Sequence, residues 1–277
     1  MITAENIFDH FKFTMSGLEK GLQVIHITTP TAQLLCCQHD EDITTVLTRS
    51  ELKPFDQIPI KKQDTIIGLL KKRECPEEAK GSVKDYMQPL GEKILVSADT
   101  PLLEFIQDDP LDRIVIGGTK IYGLVTRSDL LKPPVSLLGF ALLTHAETLM
   151  LNIIRSTRIS DEQWEQWILG EHKKEVQKRY KRLKSKQEEL DKLGLTYISD
   201  KSDILRKLVA SEEFAALLPP NTFFIDKLKD ITALRNSIAH PGKVFDDDDI
   251  LQEFIDHLRD THKWIEGIEQ WQTANSH

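Results

Sequence analysis

The sequence predicts two domains of unlike class: an α+β domain of strand–helix–strand–strand–helix repeats over residues 1–133, and an all-α helical bundle over 136–277. Three observations predict it. Nine of the twelve prolines and eight of the thirteen glycines lie at or before residue 134, whereas Trp164, Trp167, Trp264 and Trp271 all lie after it. A phrase around Gly68 returns around Gly123, 55 residues on, and from Ser136 the apolar pattern takes on a helical period. Proline and glycine punctuate short elements, so the first half reads as short strands and helices and the second as longer helices. A linker is expected at about 131–137, around Pro133-Pro134.

Length and charge bound the function. At 277 residues the chain is about twice a usual single domain, and 40% hydrophobic with 29% charged residues is a globular composition. The net charge of -8 divides evenly, with 16 Lys and Arg against 20 Asp and Glu over 1–133, and 20 against 24 beyond. That balance excludes a protein that coats nucleic acid through global charge and leaves room for a local basic patch. There is no run of about 20 apolar residues, and the first twelve residues lack the apolar core of a signal peptide, so a cytoplasmic protein without a membrane span is expected. Cys36, Cys37 and Cys75 form an odd set without metal-ligand spacing, which predicts neither a disulfide framework nor a structural zinc.

In the first half, Phe55–Ile60 and Thr65–Leu70 read as two β-branched strands around the turn Lys61–Asp64. The phrase recurs as Leu111–Ile116 and Lys120–Val125 around Gly117-Gly118. Before this copy, Ile94–Val96 is a strand, and Thr100-Pro101 marks a helix start with a threonine N-cap and proline at the first position. Leu102, Leu103 and Ile106 give that helix its apolar face.

The second copy ends Gly123-Leu124-Val125-Thr126-Arg127-Ser128-Asp129, which resembles the close of a cystathionine-β-synthase (CBS) domain; Met87-Gln88-Pro89 fits that family's opening. The resemblance spans roughly residues 22–133 as a tandem pair and implies a regulatory module that binds an adenine nucleotide (AMP, ADP or ATP). It points to Thr126 for a phosphate oxygen and Asp129 for ribose hydroxyls, with Arg113 as a third nucleotide-binding candidate. A threonine and an aspartate three apart at a helix start share one face beside free backbone N–H groups, so the same pair also serves as a cap without any ligand. In the first copy Lys71 stands where threonine belongs and Glu74 where aspartate belongs, so one good site is expected, at the second copy.

In the second half, Leu137 through Ile154 describes a long apolar helix carrying Glu147 and Arg155. Ser160-Asp161-Glu162 starts a helix leading to Trp164, Trp167 and Ile168. Residues 171–186 hold eight Lys and Arg against two Glu, either a solvated helix or a surface for a phosphate backbone. Asp203–Leu217 reads as a helix stopped by Pro219-Pro220, and Asn221 caps the next, in which Leu228, Ile231, Leu234 and Ile238 centre the buried face. That helix ends Arg235-Asn236-Ser237-Ile238-Ala239-His240, before Pro241-Gly242. Arg235 lies to one side of the buried face, and Asn236 and His240 nearly opposite, so these polar residues are not there for packing.

Arg-Asn-x-x-Ala-His closing a late helix, after a long first helix with an embedded glutamate, resembles the HEPN (higher eukaryote and prokaryote nucleotide-binding) domain over about residues 136–270. The resemblance implies a metal-independent endoribonuclease acting as a homodimer or higher homo-oligomer on RNA. His240 is then general acid or base, Arg235 holds the phosphate, Asn236 orients, and Glu147 either positions Arg235 or makes a plain ion pair. No metal is required, because the 2′-hydroxyl of RNA is the nucleophile. A non-catalytic nucleotide-sensing adaptor and a toxin silenced by an antitoxin partner are the competing readings.

Overall fold

The structure, a computed structural model, describes residues 17–18, 20–184, 191–215, 217–219, 221–239 and 248–275. The chain divides into two compact units, Met1–Leu138 and Gly139–His277.

The first unit runs β1 (Thr29–Pro30), β2 (Cys37–Gln38), α1 (Ile43–Thr48), β3 (Gln57–Lys62), β4 (Thr65–Lys71), β5 (Gln88–Pro89), β6 (Leu95–Ser97), α2 (Leu102–Gln107), β7 (Arg113–Gly117) and β8 (Lys120–Val125), then a 3-10 turn at Arg127–Leu131. Two four-stranded sheets form, in the orders β2-β3-β4-β5 and β1-β8-β7-β6. In each, a parallel pair joined through a helix is followed by an antiparallel hairpin. The outer strands are exchanged: β1, which precedes the first copy, pairs with β8 of the second, and β5, which precedes the second, pairs with β4 of the first.

The repeated glycine is what permits the exchange. Pro30 lies opposite Gly123 and Pro89 opposite Gly68, both prolines on edge strands where a missing N–H is tolerated. A Cβ on Gly123 would stand 2.0 Å from the Thr29 carbonyl oxygen, and one on Gly68 2.5 Å from that of Gln88. Both hairpins also shift register just after the glycine's partner, at Ile60/Lys61 and Val115/Ile116. Ile43, Val46, Ile58, Ile60 and Leu70 bury one core, while Ile66, Leu69, Ile94, Ile114 and Leu124 form a second that draws on both copies. Each fully buried aliphatic side chain contributes roughly 1.5–3 kcal/mol. One local expectation is corrected: α2 begins at Leu102 with Pro101 as its N-cap and no side-chain cap, so Thr100 does not cap it.

The second unit is helical. The residues expected as a linker instead form the end of the 3-10 turn and the first turn of α3 (Pro133–Ser156), where proline costs no intrahelical hydrogen bond. Among the described residues α3 is the one helix long and apolar enough to cross a membrane, and its Leu142, Ala146, Leu149, Met150 and Ile154 are buried within the fold. After it come α4 (Asp161–Trp164), capped by Ser160, α5 (Gly170–Lys184), α6 (Ile198–Val209), α7 (Glu212–Ala215), α8 (Asn221–Asp226), α9 (Leu228–Ala239) and α10 (Asp248–Ala274).

Two helix bounds differ from expectation. α6 starts at Ile198, five residues before Asp203, because Asp200 reaches back to accept from the Tyr197 N–H and closes a cap there; the helix then ends at Val209. The helix expected from Asn221 is two helices, α8 and α9, parted at Lys227, whose ammonium is tied to Asp260 on α10 at 2.6 Å. Trp264 of α10 stacks on Phe224 and donates to its carbonyl at 3.1 Å, fixing α8 against the core.

Candidate functional sites

In the first unit, β8 and the 3-10 turn place Thr126 and Asp129 as expected, on one face. The Asp129 carboxylate, 7% exposed, is fully engaged. Its Oδ2 accepts from the Thr126 N–H at 2.7 Å and the Thr126 hydroxyl at 3.1 Å; its Oδ1 accepts from the Thr29 hydroxyl at 3.1 Å and the Lys132 ammonium at 2.6 Å. Lys132 also donates to the Ile27 carbonyl at 2.6 Å. A carboxylate offers about four acceptor positions, so a ribose hydroxyl reaches Asp129 only by displacing one of these donors.

The first copy repeats the arrangement with its own residues. Glu74 accepts from Gln88 of the exchanged strand β5 at 2.8 Å, as Asp129 does from Thr29 of β1, and Lys71 lies 3.6 Å from Glu74.

Arg113 does not join Thr126 and Asp129. Although its backbone pairs with Val125, its guanidinium donates to the Pro110 carbonyl at 2.8 Å and to Asp108 at 2.6 Å. It lines a separate cavity of about 900 Å³ whose wall includes Glu92, Glu104, Asp108 and Asp109. Lys93 shares that wall with Arg113, and four carboxylates against two cations leave the cavity net acidic, which disfavours a phosphate. Beside the 3-10 turn, burial pushes the Asp112 carboxyl up, against hydrogen bonds from the Arg127 N–H and from Gln57 at 3.0 Å.

In the second unit, Arg235 and Asn236 are exposed on α9, and Arg235 donates to the Asn236 side-chain oxygen at 3.2 Å. Both line a cavity of about 480 Å³ together with Thr232 from the same helix, His172 from α5, and Tyr197, Ile198 and Ser199 at the start of α6. His240 lies outside the described residues, as does Lys186 of the basic segment.

Glu147 does not hold Arg235. Its Oε1 accepts from the Lys201 ammonium at 2.9 Å. Lys201 is 1% exposed and also donates to the Thr196 carbonyl at 2.7 Å, so Glu147 makes a plain ion pair that neutralises a buried charge.

Side chains that the motif did not include complete the cavity wall. His172 Nδ1 lies 2.6 Å from Asp200, and its ring meets the Tyr197 ring edge-on at 4.9 Å. The Tyr197 hydroxyl donates to Glu175 at 2.7 Å and accepts from Arg179 at 3.0 Å. Those two donors hold the Glu175 carboxyl below its ordinary range, and the bond to Glu175 pushes the Tyr197 phenol up. A lysine at position 201, on the stripe Ile198, Leu205 and Leu208, was the legible sign of a buried charge needing a partner. Nothing in the basic segment distinguishes His172 from its neighbours. Among the described residues no group of three His, Cys, Asp or Glu is placed to hold a metal ion.

No protein-family model matches the chain, and no curated protein matches it. Solved structures do. The CBS domain of the bacterial CNNM/CorC family Mg2+ transporter in complex with ATP is 19% identical over 48% of this chain and 98% of that one, with a TM-score of 0.35. CBSX2 in complex with AMP is 16% identical over 42% of this chain and 97% of that one, with a TM-score of 0.34. The CBS domains of a transcriptional regulator from Streptococcus pneumoniae are 16% identical over 39% and 96%, with a TM-score of 0.34. The likeness lies in the N-terminal part of the chain, which is similar to CBS domains.

Proposed function

We propose that the chain is a metal-independent endoribonuclease of the HEPN type, regulated by an adenine nucleotide bound to an N-terminal CBS pair. The observation that carries the catalytic half is the cavity on α9. Arg235 and Asn236, which helical periodicity sets off the buried face, are exposed and line a concave site with other polar groups. RNA needs no metal for strand cleavage, since its own 2′-hydroxyl attacks the phosphate; the protein has to move protons and neutralise the developing charge. Arg235 is suited to the second task, because a guanidinium binds two phosphate oxygens at once and stays charged at every working pH. His240, five residues on at the end of the same motif, supplies acid–base chemistry near neutral pH.

The regulatory half rests on the 55-residue repeat, the strand exchange, and the Thr126–Asp129 pair. In this reading the ribose replaces Lys132 or Thr29 at Asp129 Oδ1. Because Thr29 belongs to the exchanged strand, ligand entry pulls on the junction between the copies.

The test is cleavage of a short RNA by the full chain in EDTA, with Arg235→Ala and His240→Ala beside it. The wild type is expected to cut, and each variant to lose at least a hundredfold. A wild type that cuts no RNA, with or without AMP, ADP and ATP, overturns the catalytic reading and leaves a nucleotide-sensing adaptor.

A further inference from the structure

The cavity on α9 is lined by His172, Tyr197, Ile198, Ser199, Thr232, Arg235 and Asn236, and no carboxylate is among them. The Tyr197 and Thr232 hydroxyls donate to Glu175 and to the Leu228 carbonyl, so the wall's electrostatics are set by the Arg235 guanidinium beside the Asn236 amide, and this favours an anion. Within that wall the His172 ring is held by both Asp200 and Tyr197. Asp200 is 1% exposed, takes the Tyr197 N–H on Oδ2 at 3.0 Å, and presents Oδ1 to His172 Nδ1 at 2.6 Å. An ionised carboxylate only accepts, so the ring's proton is held at Nδ1 and Nε2 is the nitrogen left for a ligand. The edge-on contact with Tyr197 fixes the ring plane as well.

We propose that this cavity is a phosphodiester site in which His172, positioned by Asp200, is a catalytic residue. The proposal rests on the ribonuclease reading above and adds to it a base that the Arg-Asn-x-x-Ala-His motif does not contain. His172 Nε2 takes the proton of the 2′-hydroxyl while the 2′-oxygen forms its bond to phosphorus beside Arg235. The bond from phosphorus to the 5′-oxygen then breaks, that oxygen takes its proton from the general acid of the ribonuclease reading, His240 of the motif, and solvent restores that proton and removes the one on His172. The products are a 2′,3′-cyclic phosphate and a 5′-hydroxyl.

The experiment uses the full chain, an RNA hexanucleotide for cleavage in EDTA, and its DNA counterpart, which binds without reacting, for affinity. His172→Asn keeps a donor for Asp200 but lacks the second ring nitrogen; Asp200→Asn keeps the shape of the carboxylate and removes its charge. His172→Asn is expected to lose at least a hundredfold in kcat while its DNA Kd moves less than about threefold. Asp200→Asn is expected to shift the pH profile of kcat more than it changes KM. Cleavage by His172→Asn within threefold of wild type, with the same pH profile, overturns the proposal and leaves the ribonuclease reading standing. If the wild type cuts no RNA, that reading falls and the site is judged on binding. DNA that moves the His172 imidazole NMR signals upholds a phosphodiester site beside His172, and DNA that leaves them unchanged overturns it.

Discussion

Gly123→Ala is the sharpest single perturbation of the N-terminal unit. The added Cβ would lie 2.0 Å from the Thr29 carbonyl oxygen and 2.8 Å from Thr28 Cγ2, where an ordinary carbon–oxygen contact is about 3.3 Å. The obstacle is backbone, so β1 has to withdraw by about 1 Å or more, enough to break hydrogen bonds of ordinary length. The losses are the short β1–β8 ladder, the Thr29 bond to Asp129, and the Lys132 bond to the Ile27 carbonyl. At about 0.5–1.5 kcal/mol for each bond, the cost is about 2–4 kcal/mol. Gly68→Ala meets the Gln88 carbonyl at 2.5 Å and needs a smaller retreat, so it is expected to cost less. Urea unfolding followed by circular dichroism gives the stabilities, and hydrogen exchange on peptides covering 22–31 and 119–126 locates the damage. Gly123→Ala within about 0.5 kcal/mol of wild type, or milder than Gly68→Ala, would refute the role given to the exchanged strands.

The buried Lys201 gives a second prediction. Glu147→Gln strands an ammonium that is 1% exposed and is expected to cost about 1–3 kcal/mol, the half-exposed carboxylate keeping it below a fully buried pair; Lys201→Met should cost less, and the double variant should recover most of the loss in urea unfolding. Asp112 gives a pH dependence. Its carboxyl is raised by burial, so its contribution to stability is full below the ordinary aspartate range and is lost as pH rises through the raised value. The stability of Asp112→Asn relative to wild type should therefore increase between pH 4 and pH 7, and a constant difference would show that burial does not govern this group. Lys132→Met removes a donor that competes with a ligand for Asp129 Oδ1, a contact worth about 0.5–1 kcal/mol, so AMP affinity by calorimetry is expected to rise about two- to fivefold. Weaker AMP binding by that variant would instead make the lysine part of the ligand site.

How much was legible depended on whether a feature was local. The repeat, its hairpins and the pairing of Thr126 with Asp129 could be read because each is a short pattern of turn residues and β-branched runs. Helical period alone set Asn236 opposite the buried face and Arg235 to one side of it, and both are exposed. The exchange of β1 and β5 could not be read. Each strand is two residues long, too short for alternation, and its partner is set by the tertiary fold. The same reason hid Thr29 from the candidate site at Asp129, and His172 and Asp200 from the one on α9, whereas Lys132 is a local i,i+3 partner of Asp129. Arg113 was misplaced because its strand position is right while its side chain is drawn aside by Asp108 and Pro110. Glu147 was assigned by the motif's company, whereas the nearer demand of a buried lysine claims it.

The central claim is that a nucleotide at Asp129 controls chemistry at Arg235. Its most direct test is the rate of RNA cleavage in EDTA, measured against increasing AMP, ADP and ATP, for the wild type and for Asp129→Ala. The account predicts a rate that changes with nucleotide and saturates in the wild type, and a flat response in Asp129→Ala with cleavage retained. A wild-type rate that is the same at every nucleotide concentration would contradict it.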